Sequence, residues 1–476
     1  MGIFDSNKTL FARCTGLSSD GVGVARIEDP QARENGMKVF VEDMLPGETA
    51  RVRITKKEDR MAYAVKEQVC SSSEQRCTPV CPEFLRCGGC QIQHADYSLQ
   101  LEMKEKMVSS CLIRLGKFPE KEILSCMEPI LGAKEPLRYR NHVQYPVEYS
   151  LTKRCVNIGL FEKKSHKIVE HETCYLVHPA SEVVRKVAQV FFSDLSRMDI
   201  AKELRQIAVR IGFQSKEMMI IFVTRKAVEI DAGAFAEECV SALEKAGIGM
   251  RLTSIWQQEN PDPSKRKDPQ ARWTNLWGEP YIHEILGNRV FRISPDAFFQ
   301  VNSKQAVVLY QKVKEYLRFD GVLPRVLLDL YCGTGSIGIF CADACHHLIG
   351  IESVESAVID AKANATDNFI KDTEFFCGKA EEYDFGAMMP DAVVIDPPRK
   401  GVDEKLLSQL LKLAPTRIIY VSCNPATLAR DLMRFFQMQE EAGVKYGIKK
   451  ICPVDMFPQT THVETVVLLS RLTGGV

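Results

Sequence analysis

The chain has 476 residues, which is too long for one ordinary domain and indicates about three. Apolar residues make up 45% and charged residues 26%, the balance of a globular protein with several buried cores. The 62 basic and 62 acidic residues cancel, so net charge alone does not indicate a nucleic-acid partner, although a local basic groove remains compatible with one.

The N-terminal segment lacks the features of a signal peptide, and no run of about 18 apolar residues predicts a transmembrane helix. Without a signal peptide, the 17 cysteines are expected to be reduced, bound to metal or catalytic. The sequence therefore predicts a cytoplasmic protein without a membrane partner. No feature indicates an obligate protein partner, so we expect a monomer.

Residues 1–66 are predicted to form a small β-barrel. Strand-like runs at Leu10–Cys14, Lys38–Val41 and Glu48–Ile54 are separated by turns rich in Gly and Asp. An RNA-binding barrel is favoured over another small β domain by a basic stretch, which consists of Arg51, Arg53, Lys56 and Lys57.

Residues 67–290 are predicted to form a central α+β region. It begins with a cysteine cluster and a helix at 97–118, and packing of this helix on the C-terminal domain stays open at this point. The segment Gln258–Arg272 is polar and interrupted by proline, which predicts an exposed loop. The other predicted elements are strands Val143–Tyr149, Met218–Val223 and Met250–Trp256, and helices Ala180–Ser193 and Ala234–Ala246.

Residues 291–476 change to a βα pattern. A helix at Ser303–Tyr316 precedes apolar strands that alternate with helices, which predicts a parallel, doubly wound α/β sheet. The predicted strands are Arg325–Leu330, His347–Gly350, Ala392–Ile395 and Arg417–Val421, followed by a last strand at Val466–Leu469.

A glycine-rich turn follows the first of these strands. The spacing Gly333-x-Gly335-x-x-Gly338 lets the backbone approach a ligand at a helix N-terminus. Glu352 ends the next strand, where a carboxylate can accept ribose hydroxyls. The spacing also fits an NAD site, but Asp329 on the strand and the Tyr-Cys-Gly that follows resemble the first motif of a subgroup of S-adenosylmethionine methyltransferases.

Residues that can carry out chemistry follow two further strands and precede a third. Asp396 is followed by two prolines, which stop the strand at the edge where doubly wound sheets bind ligands. Cys423 follows the next strand, and a thiol at the start of a helix can have a lowered pKa and act as a nucleophile. Glu464 and His462, before the last strand, are the candidate bases.

These groups suit methylation of carbon 5 of uracil. A thiolate adding to carbon 6 makes carbon 5 nucleophilic enough to attack a sulfonium methyl group. A base then removes the hydrogen from carbon 5, so that the thiolate can leave.

Together these motifs resemble the RNA 5-methyluridine methyltransferase family over nearly the whole chain. The resemblance implies Cys423 as nucleophile, Glu464 as base and Asp396 as a contact to the uracil or the cofactor. It implies that S-adenosylmethionine is bound by Gln300, Tyr331, Ser336 and Glu352, with Asp396. It also identifies the N-terminal barrel as a TRAM domain, a module that binds RNA.

The cysteine cluster has the spacing C-x5-C-x2-C at Cys81, Cys87 and Cys90, which is compatible with zinc or an iron–sulfur cluster. The family resemblance implies a [4Fe–4S] cluster with Cys174 as the fourth ligand. Cys77 is a rival fourth ligand because it is close in sequence. Radical S-adenosylmethionine enzymes have the spacing Cys-x3-Cys-x2-Cys. Cys77 and Cys81 fit its first half, but five residues and not two separate Cys81 from Cys87, so this class is disfavoured.

Given the barrel and the cluster, the family resemblance implies 23S ribosomal RNA as the substrate, with transfer RNA as the alternative. The target uridine must leave the base stack, so that Cys423 can reach carbon 6. The predicted phosphate contacts are Arg138, Arg140, Arg399 and Lys400, with the basic residues of the barrel. Two other classes of function stay open at this point: an NAD-dependent oxidoreductase and a non-catalytic RNA-binding protein.

Overall fold

The computed structural model describes residues 9–59, 61–261, 271–386 and 388–472. Its N-terminal strands are β1 (Thr9–Leu17), β2 (Gly23–Ile27), β3 (Lys38–Val41), β4 (Thr49–Lys57) and β5 (Met61–Ser71). They form a closed barrel in the order β1-β2-β3-β5-β4. Buried and exposed residues alternate along β1, because successive side chains of a strand point to opposite faces. The predicted barrel is confirmed, and β5 continues past residue 66.

The helix predicted at 97–118 is present but shorter. Asp96 caps its N-terminus by accepting a hydrogen bond from the backbone N–H of Leu99 at 2.8 Å. Gly116 and Pro119 follow its last turn and cannot continue a helix easily. The two helices of this segment are α1 (Tyr97–Arg114) and α2 (Glu120–Cys126).

The central part contains an antiparallel-rich sheet with helices on one side. Its strands are β6 (His142–Ser150), β7 (Cys155–Ile158), β8 (Leu160–Phe161), β9 (Ile168–Val169), β10 (Leu204–Ile211), β11 (Glu217–Thr224), β12 (Arg251–Glu259) and β13 (Arg272–Gly278). Its helices are α3 (Pro179–Phe191), a 3₁₀ turn (Leu195–Arg197), α4 (Met198–Glu203) and α5 (Ala232–Lys245). Six strands form one sheet in the order β13-β12-β11-β10-β6-β7, and β8 pairs with β9.

The core of this part combines aliphatic residues with a group of phenylalanines. Phe192, Phe222 and Phe235 contact one another with ring centroids 5.0–6.0 Å apart. The predicted exposed loop at 258–272 lies mostly outside the described residues, and its first two residues and its last belong to strands β12 and β13.

The C-terminal part holds the second large sheet. A hairpin, β14 (Ile282–Leu286) and β15 (Arg289–Ile293), precedes it. The helices are α6 (Ser303–Leu317), α7 (Ser336–Phe340), a 3₁₀ turn (Ala342–Ala344), α8 (Glu355–Asp367), α9 (Glu404–Leu413) and α10 (Pro425–Ala442). The strands are β16 (Val326–Leu330), β17 (His347–Glu352), β18 (Thr373–Cys377), β19 (Ala392–Ile395), β20 (Arg417–Ser422), β21 (Tyr446–Val454) and β22 (Glu464–Arg471).

This sheet is doubly wound, as predicted, in the order β18-β17-β16-β19-β20-β22-β21. The first five strands in that order are parallel, whereas β22 runs antiparallel to both of its neighbours. Successive residues of β16 enter different cores: Leu327 packs with residues of α6, α7 and α8, and Leu328 packs with residues of α1, α9 and α10. Helix α1 therefore covers one face of the C-terminal sheet, although it precedes the central part in sequence. In the part of the chain that the structure describes, no helix is long and apolar enough to cross a membrane.

Candidate functional site

The predicted motifs meet at one edge of the C-terminal sheet. Strands β16, β17, β19 and β20 are parallel neighbours, so their carboxyl ends lie side by side. The glycine-rich turn, Glu352, Asp396 and Cys423 follow or end these four strands in turn. The topology therefore brings together residues that lie far apart in the sequence.

The glycine-rich turn has a left-handed backbone. Tyr331, Gly333 and Gly335 have φ values of 61°, 56° and 75°, a region that favours glycine. Gly335 is the N-cap residue of α7. The backbone N–H of Gly333 donates to Oε2 of Glu352 at 3.1 Å, which joins the turn to the end of β17.

Asp329 is a fully buried acid beneath this turn. Its Oδ2 accepts a hydrogen bond from the backbone N–H of Gly338 at 2.9 Å, whereas Oδ1 has no hydrogen-bond partner among the described residues. Burial raises the pKa of Asp329 to about 8, with contributions from the carboxylates of Asp396 and Glu352. The sequence motif contained this residue, but sequence reasoning gave it no role in the site.

Two of the predicted cofactor residues make polar contacts around the turn. The hydroxyl of Tyr331 donates to Oε2 of Glu381 at 3.3 Å. The hydroxyl of Ser336, in the first turn of α7, lies 3.0 Å from the hydroxyl of buried Tyr310.

The other predicted cofactor residues come from different segments. Glu352 accepts from the backbone N–H of Val354 at 2.9 Å, which orients its carboxylate beside the turn. Gln300 is buried before α6, and its backbone carbonyl accepts from Nδ2 of Asn141 at 2.9 Å. The geometry places Glu352 at the glycine-rich turn and Gln300 in the segment that leads into α6.

Cys423 lies between the end of β20 and the start of α10, and it is half-buried. Burial raises the pKa of its thiol to about 11, and the carboxylates of Glu464 and Asp396 add to the shift, while Arg399 opposes it. The expectation of a lowered pKa at this helix start is therefore wrong. Two neighbouring carboxylates and the apolar surroundings outweigh the single arginine.

Glu464 faces the same place from the antiparallel strand β22. It is 3% exposed, and its Oε2 has no hydrogen-bond partner among the described residues. Burial raises the pKa of Glu464 well above its usual range, and Asp396 adds to the shift. Burial also raises the pKa of Asp396 to about 7. Asp396 and Glu464 are thus close enough to Cys423 to raise its pKa, and Asp396 is close enough to Glu464 to raise that of Glu464.

His462, the other candidate base, has a different environment. Its Nε2 accepts a hydrogen bond from the guanidinium of Arg399 at 3.5 Å. Burial lowers the pKa of His462 to about 4, and Arg399 contributes. Glu464 acts on the pKa of Cys423, and His462 is not among the groups that do.

The four predicted phosphate contacts fall into two groups. Arg399 and Lys400 are exposed beside the site. Arg138 instead donates to the backbone carbonyl of Cys174 at 2.6 Å, and the charge of Arg140 acts on the thiols of Cys174 and Cys90. The structure therefore places Arg138 and Arg140 against the cysteine pocket.

This pocket brings the four predicted cluster ligands together. A single cavity is lined by Cys81, Cys87, Cys90 and Cys174. The thiols of Cys87 and Cys90 each have a raised pKa, through burial first and then through Cys174 and the other thiols. Cys77 does not line the cavity, and its Sγ lies 3.5 Å from the backbone carbonyl of Gln93.

The cysteine pocket differs from a site for a single metal ion. Among the described residues, no group of three or more His, Cys, Asp or Glu is arranged to hold one metal ion. In a [4Fe–4S] cluster each thiolate binds a different iron, so the sulfurs stand farther apart than around one ion. Neighbouring thiols contribute to the raised pKa values of Cys87 and Cys90, and thiols that disfavour one another's ionisation are compatible with such a cationic centre.

The carboxyl edge of the C-terminal sheet is compatible with a cationic ligand for a similar reason. Asp329 and Asp396 both have raised pKa values, so a positive charge placed between them would be stabilised. S-adenosylmethionine carries such a charge on its sulfonium group. The residues present therefore fit the cofactor predicted from the sequence.

Comparisons with known proteins agree with this geometry. A family model described as tRNA (Uracil-5-)-methyltransferase matches residues 279–472, and a TRAM-domain model matches residues 7–66. A relative from Bacillus cereus, described as an uncharacterized RNA methyltransferase, is 36% identical over 470 residues and covers 96% of this chain and 95% of its own length. A relative from Staphylococcus aureus with the same description is 36% identical over 463 residues, covering 95% of this chain and 96% of its own length.

A solved structure is similar over the same extent. It is the tRNA (uracil-54, C5)-methyltransferase of Pyrococcus abyssi in complex with S-adenosyl-L-homocysteine. The TM-score is 0.72 and the identity 27%, covering 97% of this chain and 99% of that one.

Proposed function

Because this chain belongs to the RNA uracil-5-methyltransferase family and carries a TRAM domain, we propose that it methylates carbon 5 of a uridine through a covalent adduct of Cys423 with carbon 6. It is an S-adenosylmethionine-dependent RNA methyltransferase. The alternatives of an NAD-dependent oxidoreductase and a non-catalytic RNA-binding protein are therefore not supported.

The observation that supports the covalent route is the meeting of three side chains from three strand ends. Cys423 is the nucleophile that adds to carbon 6 of the flipped uracil. Asp396 lies beside it at the end of β19, where it contacts the uracil edge or the cofactor. Glu464 is close enough to raise the pKa of the thiol and is the base for the final step.

In this reaction each bond that forms is matched by one that breaks. The Sγ–C6 bond forms while the C5–C6 double bond shifts its electrons to carbon 5 and the C4 carbonyl. Carbon 5 takes the methyl group, and S-adenosylhomocysteine is released. Glu464 removes the hydrogen of carbon 5, the double bond returns, and the Sγ–C6 bond of Cys423 breaks.

The raised pKa values give the bound cofactor a second role. S-adenosylmethionine supplies the methyl group and a positive charge beside the carboxyl groups. A positive charge favours the ionised forms of Cys423 and Glu464, which are the forms that act as nucleophile and base. Gln300, Tyr331, Ser336 and Glu352 are proposed to hold the rest of the cofactor.

The experiment is methylation of RNA by the Cys423→Ser variant with radiolabelled cofactor. We expect methyl transfer to be lost while cofactor binding, measured by calorimetry, is retained. Cys70→Ser is the matched control, since Cys70 is exposed on barrel strand β5. Undiminished methylation by Cys423→Ser would remove the covalent route.

For the RNA class, we propose 23S ribosomal RNA, supported by the barrel and the four converging cysteines. Transfer RNA is the second candidate, because the similar enzyme of Pyrococcus abyssi is described as acting on tRNA and matches 97% of this chain. Mapping 5-methyluridine in both RNAs, with and without the protein, separates the two. We further propose that the enzyme acts as a monomer in the cytoplasm.

We also propose that Cys81, Cys87, Cys90 and Cys174 bind a [4Fe–4S] cluster. Iron, sulfide and visible absorption should be present after anaerobic purification or reconstitution. Cys174→Ser should lower all three, whereas the matched Cys77→Ser should not. Equal cluster content in the two variants would contradict Cys174 as the fourth ligand.

A further inference from the structure

The segment that leads into Glu464 is a long hairpin connection, residues 455–463, which we name the base loop. It joins β21 to β22 and is closed by the register pair Val454–Glu464. His462 belongs to this loop, and Glu464 follows directly after it. The conformation of the base loop therefore determines where the Glu464 carboxyl group points.

Helix α1 holds the first turn of the base loop through a buried ion pair. The ammonium group of Lys104 donates to Oδ1 of Asp455 at 2.5 Å and to the backbone carbonyl of Phe457 at 3.0 Å. The hydroxyl of Tyr97 donates to Oδ2 of Asp455 at 2.9 Å. The side chains of Lys104 and Asp455 are 1% and 0% exposed, so water does not replace these bonds.

The middle of the base loop is held by a neighbouring residue of α1. Gln100 donates to Oε1 of Gln459 at 3.0 Å and accepts from its backbone N–H at 2.9 Å. Gln459 has a φ of 70°, which is unfavourable for a residue other than glycine. Such a conformation persists only where surrounding contacts determine it.

The other two parts of the protein bind the same loop. The hydroxyl of Thr461 donates to the backbone carbonyl of Ser19 in the barrel at 2.6 Å. The backbone N–H groups of Gln91 and Ile92, next to Cys90, donate to the carbonyl of Gln459 at 3.1 and 3.2 Å. All three parts of the chain thus converge on the connection that precedes Glu464.

A buried ion pair adds little net stability, because desolvation of both charges offsets much of their attraction. Neutral side chains of similar volume can often fill such a site without loss of stability. What they do not reproduce here is the direction of the Lys104 bonds, which join the helix to two points of the base loop.

We propose that Lys104 is a positioning residue for catalysis, holding the base loop so that Glu464 reaches the hydrogen on carbon 5. The inference rests on the proposed function, in which Glu464 is the base. The hydrogen bonds of Lys104 go to Asp455 and Phe457, so its proposed effect on Glu464 is transmitted through the base loop.

The test variant is the double substitution Lys104→Met with Asp455→Asn. Both replacements are neutral and close in size, so no unpaired charge stays buried, and Asn can still accept from Tyr97. The matched control is Lys202→Met with Asp199→Asn, a pair on the surface of α4 with N–O distance 3.2 Å. Thermal melting first establishes that both variants are folded.

The readout is the step that needs the base. In the Lys104 variant we expect kcat to fall on the order of 10–100-fold, since small misplacements of catalytic groups have such effects, with KM for RNA unchanged. Removal of the carbon 5 hydrogen becomes slow, so methylated RNA accumulates as a covalent adduct on a denaturing gel. RNA carrying 5-deuterouridine should react more slowly than unlabelled RNA in this variant.

Glu464→Gln distinguishes the two possible failures. If Glu464→Gln accumulates the adduct but the folded Lys104 variant turns over like the surface control, without an isotope effect, the positioning role is overturned. If Glu464→Gln forms no adduct and stays fully active, the proposed function of Glu464 fails instead. A Lys104 variant with raised KM and normal kcat would also contradict positioning of the base.

Discussion

The ionisation of Cys423 provides the sharpest test of the electrostatics of the site. A pKa raised from 9.0 to about 11 means roughly a hundredfold less thiolate than an ordinary cysteine has at neutral pH. At about pH 7.5, roughly one molecule in 3,000 would carry the thiolate. The free enzyme should therefore be slow to react with alkylating reagents at this position.

The assay is alkylation by iodoacetamide, quantified by mass spectrometry of tryptic peptides. Cys423 is the only cysteine of residues 418–430, and exposed Cys70 is the only cysteine of residues 67–76, so the second peptide is an internal reference. The rate of Cys423 alkylation should still rise about tenfold per pH unit at about pH 10, because the inflection of its pH profile lies above that pH. In Glu464→Gln the inflection should move to lower pH, because one of the raising charges is gone.

The two forms of the cofactor make a matched pair for the same assay. S-adenosylmethionine and S-adenosylhomocysteine have nearly the same shape, but only the first carries the sulfonium charge. An opposite charge nearby lowers a pKa by about 1–3 units. At constant pH, Cys423 should therefore be alkylated about 10–1,000-fold faster with S-adenosylmethionine bound than with S-adenosylhomocysteine bound. Equal rates with both forms, or an inflection near pH 9 in the free enzyme, would refute the electrostatic argument.

Three further predictions concern stability, measured by thermal or urea unfolding. Asp329→Asn should stabilise the protein more at pH 8 than at pH 5. The pKa of buried Asp329 is raised to about 8, so the free-energy cost of keeping this residue in the folded protein grows with pH. An equal change in stability at pH 5 and pH 8 would contradict this. Lys104→Met alone should cost about 3–5 kcal/mol because Asp455 is left buried and unpaired, while the double variant with Asp455→Asn should lose much less. Gly335→Ala should cost about 1–3 kcal/mol, because φ is 75° and the added Cβ would lie 2.8 Å from Ile339; an unchanged melting temperature would show that the turn relaxes.

Much of the candidate site follows from local sequence. Apolar strands that end in Asp396-Pro-Pro or in Ser-Cys423-Asn predict side chains at the carboxyl edge of a parallel sheet, where ligands bind. The glycines of the turn predict a close approach of the backbone to a ligand, and Gly333 and Gly335 adopt the left-handed conformation that glycine allows. These features depend on neighbouring residues and on strand periodicity, which a single sequence contains.

Helix α1 carries two buried polar residues whose position on its apolar face is visible in the sequence. Gln100, Lys104, Val108 and Leu112 recur every four residues, so they share one face of helix α1, and all four are buried. Two polar residues on an otherwise apolar stripe indicate partners elsewhere in the chain. The partners, Gln459 and Asp455, are more than 350 positions away, and no local pattern identifies them.

The chemical groups of the site and the strand ends that carry them thus follow from the amino-acid order. Three features depend on the folded chain: α1 covers a face of the C-terminal sheet, β22 enters that sheet antiparallel, and Cys174 rather than Cys77 lines the cysteine cavity. The tertiary structure also reversed the expected direction of the Cys423 pKa shift. The physical reason is the same in each case: burial and long-range charge depend on which distant segments meet, whereas turns and strand periodicity depend on residues close in sequence.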